Sequence, residues 1–78
     1  MAHGLKPEPL VLVDLSVNGQ PYKAKIWNCG EGRWCLVEAK LPDGTRLPGS
    51  GREGVCMDAL LEAHELVSAH VYTRIKRI

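Results

Sequence analysis

The sequence predicts a single small α+β domain of order β-β-β-α-β: an antiparallel three-stranded meander, one helix packed on one sheet face, and a C-terminal strand. Three observations support this fold class. Apolar and polar residues alternate through residues 10–41 in runs separated by turn residues. Residues 55–67 carry apolar side chains at helical spacing, and residues 70–78 alternate again.

The chain has 78 residues, which is enough for one domain. We expect a flexible leader over residues 1–9, which contain two prolines and no periodic pattern, and the domain over residues 10–78. A chain of this size buries only about 60% of the surface that it exposes when unfolded. Its stability is therefore expected to be modest unless copies associate.

Hydrophobic residues make up 45% of the chain, charged residues 24%, and the net charge is +1. This composition excludes a disordered chain and provides no overall charge favouring nucleic acid or an anionic membrane. No apolar run approaches the roughly 20 residues that span a bilayer, and the N-terminus has no apolar signal core. We therefore expect a cytoplasmic protein with no membrane partner, whose three cysteines are reduced thiols.

The first strand is predicted over Leu10–Val17, where the odd-numbered residues are apolar and face the core. Asn18-Gly19 follows, and both residue types tolerate the positive φ of a type I′ turn. A two-residue loop here sets the register of the first hairpin. It places Asp14 opposite Lys23, a favourable charge pair on the outer face of the sheet.

The second hairpin is predicted to turn at Gly30-Glu31, because glycine first in a two-residue loop suits a type II′ turn. In this register Trp27 lies directly opposite Trp34 on the outer face. A loop at Glu31-Gly32 is the second choice, and it would separate the two tryptophans.

The two registers give Glu38 different partners. The first places it opposite Lys23, and the second places it opposite Lys25. The first register pairs Cys35 with Ile26 and Val37 with Ala24 on the inner face, so buried parity and the Lys23–Glu38 charge pair both agree with it. We therefore prefer it.

The third strand should end near Leu41, before turn and loop residues that include Pro42-Asp43-Gly44. Ser50 and Glu53 match a capping box, and the helix is expected to run from about Val55 to Val67. Its apolar stripe comprises Cys56, Ala59, Leu60, Ala63 and Val67. A last strand follows in the alternation of residues 70–78.

The predicted outer face is the principal functional clue. One short helix can cover only the inner face, and apolar side chains also collect on the opposite one, an arrangement that monomers rarely leave bare. We therefore expect a protein-interaction module that is a homodimer or homotetramer. The predicted interface residues are Leu10, Leu12, Trp27, Trp34 and Leu36.

Three alternatives use the same face. Aromatic and basic side chains could bind single-stranded nucleic acid by stacking bases and holding phosphates; the candidate residues are Lys25, Trp27, Trp34, Tyr72, Arg74 and Lys76. The leader could instead fold over the tryptophans. A small molecule could bind between subunits.

Catalytic and metal-binding patterns do not stand out in the sequence. No pair of cysteines has the ligand spacing of a zinc knuckle, and His64 and His70 do not lie on one face of a helix. Cys35 is expected on the buried face, where a thiol is inert. We therefore expect a protein that is not an enzyme and holds no metal or cofactor.

One stretch of the chain has a family resemblance. From Trp34 to Val67, a strand, the turn Leu41-Pro42-Asp43-Gly44, the loop Gly49-Ser50-Gly51 and the helix sequence Ala59-Leu60-Leu61-Glu62-Ala63 follow one another. This segment resembles the HicB class of antitoxins, in which such parts pack as a small sheet-and-helix unit. The resemblance covers under half of the chain and implies a dimeric module that binds another protein.

Overall fold

The computed structural model describes residues 9–76 of the chain, with side chains through residue 73. Its elements are β1 (Leu10–Val17), β2 (Gln20–Gly30), β3 (Arg33–Lys40), β4 (Arg46–Pro48) and α1 (Cys56–Lys76). The strands form one antiparallel sheet in the order β1-β2-β3-β4, and α1 packs on one face of it. The predicted α+β class, with an antiparallel meander and one helix on the sheet, is confirmed. The leader prediction for residues 1–8 lies outside the described residues.

The first hairpin agrees with the prediction residue by residue. Asn18 and Gly19 have φ angles of 50° and 80°, as a type I′ turn requires. Asp14 pairs with Lys23 across the strands, and Lys23 Nζ lies 2.7 Å from Asp14 Oδ1. Alternation and turn chemistry agree over this segment, so the local sequence is enough to specify its register.

The predicted turn of the second hairpin is wrong. The loop residues are Glu31 and Gly32, with φ angles of 56° and 75°, which is again a type I′ pattern. Gly30 therefore belongs to β2, and Glu38 lies opposite Lys25, as in the second-choice register. The type I′ turn at Glu31-Gly32 thus forms in place of the predicted turn at Gly30-Glu31, which would have paired the tryptophans.

The tryptophans consequently do not face each other. Trp27 lies opposite Cys35, and Trp34 lies opposite Asn28. Because neighbouring positions along a strand point to opposite faces, Trp27 and Trp34 lie on different faces of the sheet. Trp34 packs against the core that α1 covers.

A bulge in β3 decides which of its side chains are buried. Val37 is the extra residue, since Lys25 pairs with Glu38 whereas the next residue of β2 pairs with Leu36. The bulge lets Leu36 and Ala39 both face the helix, although an unbroken strand would place them on opposite faces. The predicted inner positions of Cys35 and Val37 are therefore wrong.

β4 was predicted as loop. It pairs with the end of β3 through Leu47, which lies opposite Ala39. The chain then follows the edge of β3: Gly49 N–H donates to Val37 O at 2.8 Å, and Gly54 N–H donates to Trp34 O at 2.8 Å. Backbone groups along this edge of the sheet are thus occupied.

α1 is longer than predicted, and the predicted last strand is wrong over residues 70–76, because the helix runs through Lys76. Residues 77 and 78 of that prediction lie outside the described residues. No glycine or proline interrupts the chain between Val67 and Lys76. Val71 lies one turn after Val67 and packs on the same core. The alternation after residue 70 is too short to distinguish a strand from the end of an amphipathic helix.

The start of α1 also differs from the prediction. Glu53 and Ser50 do not form a capping box, because the helix begins six residues after Ser50. The Asp58 carboxylate instead accepts a hydrogen bond from Val55 N–H at 3.3 Å, which satisfies a free donor before the first turn. Ser50 binds Glu62 within the helix, through its N–H at 2.6 Å and its hydroxyl at 3.1 Å.

The core lies between the inner sheet face and α1. Alanine at two of the three buried helix positions lets the helix approach the sheet closely. The buried hydrophobic residues are Val17, Tyr22, Ala24, Ile26, Leu36, Ala39, Leu41, Ala59, Ala63 and Val67. Within residues 9–76, no helix combines the length and the apolar character that crossing a bilayer requires.

Candidate interaction surface

The face of the sheet opposite α1 carries four large exposed apolar side chains. The exposed fractions are 38% for Leu10, 58% for Leu12, 43% for Trp27 and 41% for Val37. Leu10 lies directly opposite Trp27 across β1 and β2. Together with Cys35, which neighbours Trp27 on β3, these residues form what we call the outer apolar patch.

Three of the five predicted interface residues belong to this patch: Leu10, Leu12 and Trp27. The other two do not. Leu36 is 1% exposed in the core, and Trp34 is half-buried against it, because two bulges, with Cys29 the extra residue of β2 and Val37 that of β3, invert this part of β3. Val37 takes their place on the outer side, and neither candidate turn pointed to it from the sequence, because each one pairs Val37 with an inward-facing residue of β2, Ala24 or Ile26.

Charged side chains occupy the other end of the outer face. Lys23 is paired with Asp14, as in the first hairpin, and Lys25 Nζ lies 3.3 Å from Glu38 Oε2. That second pair has an ion-pair distance without hydrogen-bond alignment, and the Glu38 side chain is only 15% exposed. Lys40 lies beside Lys23 on β3. Among the described residues, three lysines and two carboxylates thus leave a surplus of one positive charge on this face.

The edge of the sheet next to the patch is open. Asn28 of β2 donates its N–H to the carbonyl oxygen of Pro9, the residue before β1, at 2.8 Å. The odd-numbered residues of β1 therefore direct their backbone N–H and C=O groups toward β2. The backbone groups of the even-numbered residues point away from β2, namely those of Leu12, Asp14 and Ser16. Among the described residues no strand pairs with this edge of β1, and no proline or bulge interrupts it.

The predicted nucleic-acid residues do not come together. Of that set, Lys25 and Trp27 lie on the outer face, and Lys25 is already ion-paired. Trp34 packs on the inner side. Tyr72 belongs to α1, as do residues 74 and 76, and α1 lies on the opposite face of the sheet. The described side chains of this set therefore form no continuous aromatic and basic surface.

The three cysteines are free thiols in different surroundings. Cys29 and Cys35 lie together at the end of the second hairpin, with their Sγ atoms 3.9 Å apart, whereas Cys56 begins α1. Within the part of the chain that the structure describes, no three His, Cys, Asp or Glu side chains are grouped to hold a metal ion.

This geometry favours binding through a sheet face. Exposed apolar side chains lie at one end, paired charges lie at the other, and they are bordered by an edge of β1 that no other described strand pairs with. Compared with models of protein families, with curated proteins and with solved structures, the chain matches none.

Proposed function

We propose that the protein is a self-associating interaction module, with a binding rather than a catalytic role, whose copies meet through the outer apolar patch. One observation carries this proposal: Leu10, Leu12, Trp27 and Val37 are exposed together on one sheet face. Contiguous apolar surface of this kind on a small soluble domain marks an interaction site more often than a solvent-facing surface.

Charge and symmetry support a second copy as the occupant. Four of the five charged groups on the face are neutralised in the pairs Asp14–Lys23 and Lys25–Glu38, so two copies meet with little repulsion. A two-fold axis would let one patch serve both subunits. The area buried would also add to the small core that a chain of this length can form.

The dimensions of the patch set the expected strength. The outer face over the eight-residue strands β1 and β3 and the part of β2 between them is about 27 Å long and about 14 Å wide, or roughly 400 Å², and the patch is part of it. Stable interfaces bury about 800 Å² on each partner. We therefore expect a reversible assembly that depends on concentration, with the open edge of β1 available to enlarge the contact.

The test is the mass in solution, measured by size-exclusion chromatography with light scattering over a series of concentrations. The wild-type chain should rise from the mass of one chain to that of two or four. Trp27→Glu should remain a monomer with an unchanged circular dichroism spectrum, because its side chain lies outside the core. A wild-type chain that stays monomeric, or a Trp27→Glu chain that associates normally, would refute the proposal.

Leu61→Glu is the matched control. Leu61 is 52% exposed but lies on α1, away from the outer face, so this variant should associate like the wild type. If the wild-type chain is monomeric at every concentration, the patch is free for a different protein. That outcome favours the kind of partner implied by the resemblance to HicB antitoxins.

A further inference from the structure

We propose that Cys29 and Cys35 form a reversible intramolecular disulfide, so that the end of the second hairpin is a site of thiol oxidation. The proposal stands independently of self-association. Its basis is the approach of the two thiols: their Sγ atoms lie 3.9 Å apart across β2 and β3. Closing the bond requires a separation of about 2.05 Å, a movement that side-chain rotation at the end of a hairpin can supply.

A bulge in β2 brings the thiols together. Asn28 pairs with Trp34 and Gly30 pairs with Arg33, which leaves Cys29 as the extra residue without a partner in the ladder. Gly30 N–H donates to Asn28 Oδ1 at 2.9 Å and holds the bulge. Because Cys29 has no partner in β3, its thiol can approach that of Cys35, although the two residues are not opposite each other in the register.

The ligand set favours a disulfide over a metal site. Structural zinc sites need four ligands, and the described residues offer no group of three or more candidate ligands. Two thiols alone match the requirement of a disulfide. Cys29 is exposed and accessible to an oxidant, whereas Cys35 is partly covered and positioned to react with Cys29 afterwards.

The oxidant that we consider is a small disulfide such as oxidised glutathione. The Cys29 thiolate attacks one sulfur of glutathione disulfide and forms a mixed disulfide, which releases one glutathione thiolate. The Cys35 thiolate then attacks the Cys29 sulfur and releases the second glutathione. The two protons lost by the cysteines pass to the two glutathione molecules, so one protein disulfide forms and one glutathione disulfide is reduced.

The surroundings of Cys29 make the first step slow at neutral pH. Desolvation, the hydrogen bond and charge of Cys35, and the nearby Glu53 carboxylate together raise the pKa of the Cys29 thiol. Less thiolate is present at a given pH, and the thiolate is the attacking species. Oxidation should therefore speed up as the pH rises, and the pair should respond to sustained rather than brief exposure.

The test uses the full chain at a low protein concentration, treated with oxidised glutathione and analysed by thiol alkylation and mass spectrometry. Two of its three thiols should disappear within a single-chain mass, and digestion should yield a peptide pair linked through residues 29 and 35. Dithiothreitol should restore both thiols. Cys56→Ser should behave like the wild type, and Cys35→Ser should stop at a glutathione adduct on Cys29.

Other products would overturn the proposal. A wild-type chain that stops at the glutathione adduct would show that the two sulfurs cannot meet. A disulfide that joins two chains, or one that uses Cys56, would show that a different pair is preferred. Circular dichroism of each variant distinguishes these outcomes from a chain that has lost its fold.

Discussion

At the scale of single residues, Glu53 links a charge pair to a thiol. Its Oε1 atom lies 2.8 Å from Arg33 Nη2, across the mouth of the second hairpin. The same carboxylate is close enough to Cys29 to contribute to the raised pKa of that thiol. A negative charge beside an ionising thiol disfavours the thiolate, so Glu53 restrains the reactivity of Cys29.

Replacing Glu53 with Gln should make Cys29 more reactive. The substitution removes the negative charge and frees Arg33, and both changes lower the pKa of the thiol. We expect the alkylation rate of Cys29 near neutral pH to rise by about two- to fivefold, since the thiolate fraction increases faster than its nucleophilicity falls. The measurement is the rate of iodoacetamide labelling as a function of pH, with peptide-level detection.

Glu31→Gln serves as the control for that experiment. Glu31 is an exposed turn residue two positions from Cys29, and it does not contribute to the pKa shift. Its replacement removes the same charge and should leave the labelling profile nearly unchanged. Equal acceleration in both variants would mean that overall charge, and not Glu53, controls the thiol.

At the scale of elements, Gly49 holds the chain against β3. Its N–H donates to Val37 O at 2.8 Å, next to the bulge that turns Leu36 inward. A side chain on Gly49 has no room, because its Cβ would collide with the backbone carbonyl of Leu36. The bulge and the edge segment therefore depend on each other.

Gly49→Ala should consequently destabilise the domain. Relieving the collision means moving backbone that is held on both sides, and we expect a loss of about 1–3 kcal/mol in the free energy of unfolding. Urea unfolding followed by circular dichroism would measure it. Arg46→Ala, at an exposed position of β4, should change the stability by less than about 0.5 kcal/mol. A Gly49→Ala chain as stable as this control would contradict the close approach.

The two hairpins explain why one register was predictable and the other was not. In the first, the Asn18-Gly19 turn and the alternation over β1 agree, and no competing turn exists nearby. In the second, Gly30-Glu31-Gly32 offers two loops, and the choice changes every partner of β3. The bulge at Val37 then depends on which side chains fit beneath α1, a requirement that no local pattern expresses.

At the scale of the whole molecule, the outer face combines exposed apolar side chains with nearly balanced charge. Because four of its five charged groups are paired within the chain, self-association through this face should depend little on salt. We expect the dissociation constant to change less than about threefold between low salt and about 0.5 M sodium chloride. Sodium sulfate favours apolar burial and should therefore lower the dissociation constant.

Sedimentation equilibrium at several salt concentrations would measure this dependence. If the dissociation constant rises by more than tenfold from low to high salt, the contact depends on charges rather than on the outer apolar patch. If the protein binds a single-stranded oligonucleotide at low salt and loses this binding steeply as salt rises, the result would instead support the nucleic-acid alternative.

The sequence by itself determined the α+β class, the bounds of β1, the register of the first hairpin, and a sheet with apolar side chains on both faces. These properties follow from alternation, turn residues and chain length, which act over a few neighbouring positions. It also identified Leu10, Leu12 and Trp27 as outer-face residues, since they lie in the first hairpin or continue its register.

Only the tertiary structure decided the rest. The contact with α1 selected Leu36 and Trp34 for the inner side and left Val37 outside, through a bulge. Packing of Val71 on the core kept residues 70–76 helical, and pairing with the preceding strand β3 made β4. Apart from β4, each of these choices depends on partners far away in the sequence, so the residues involved carry no local signal of the outcome.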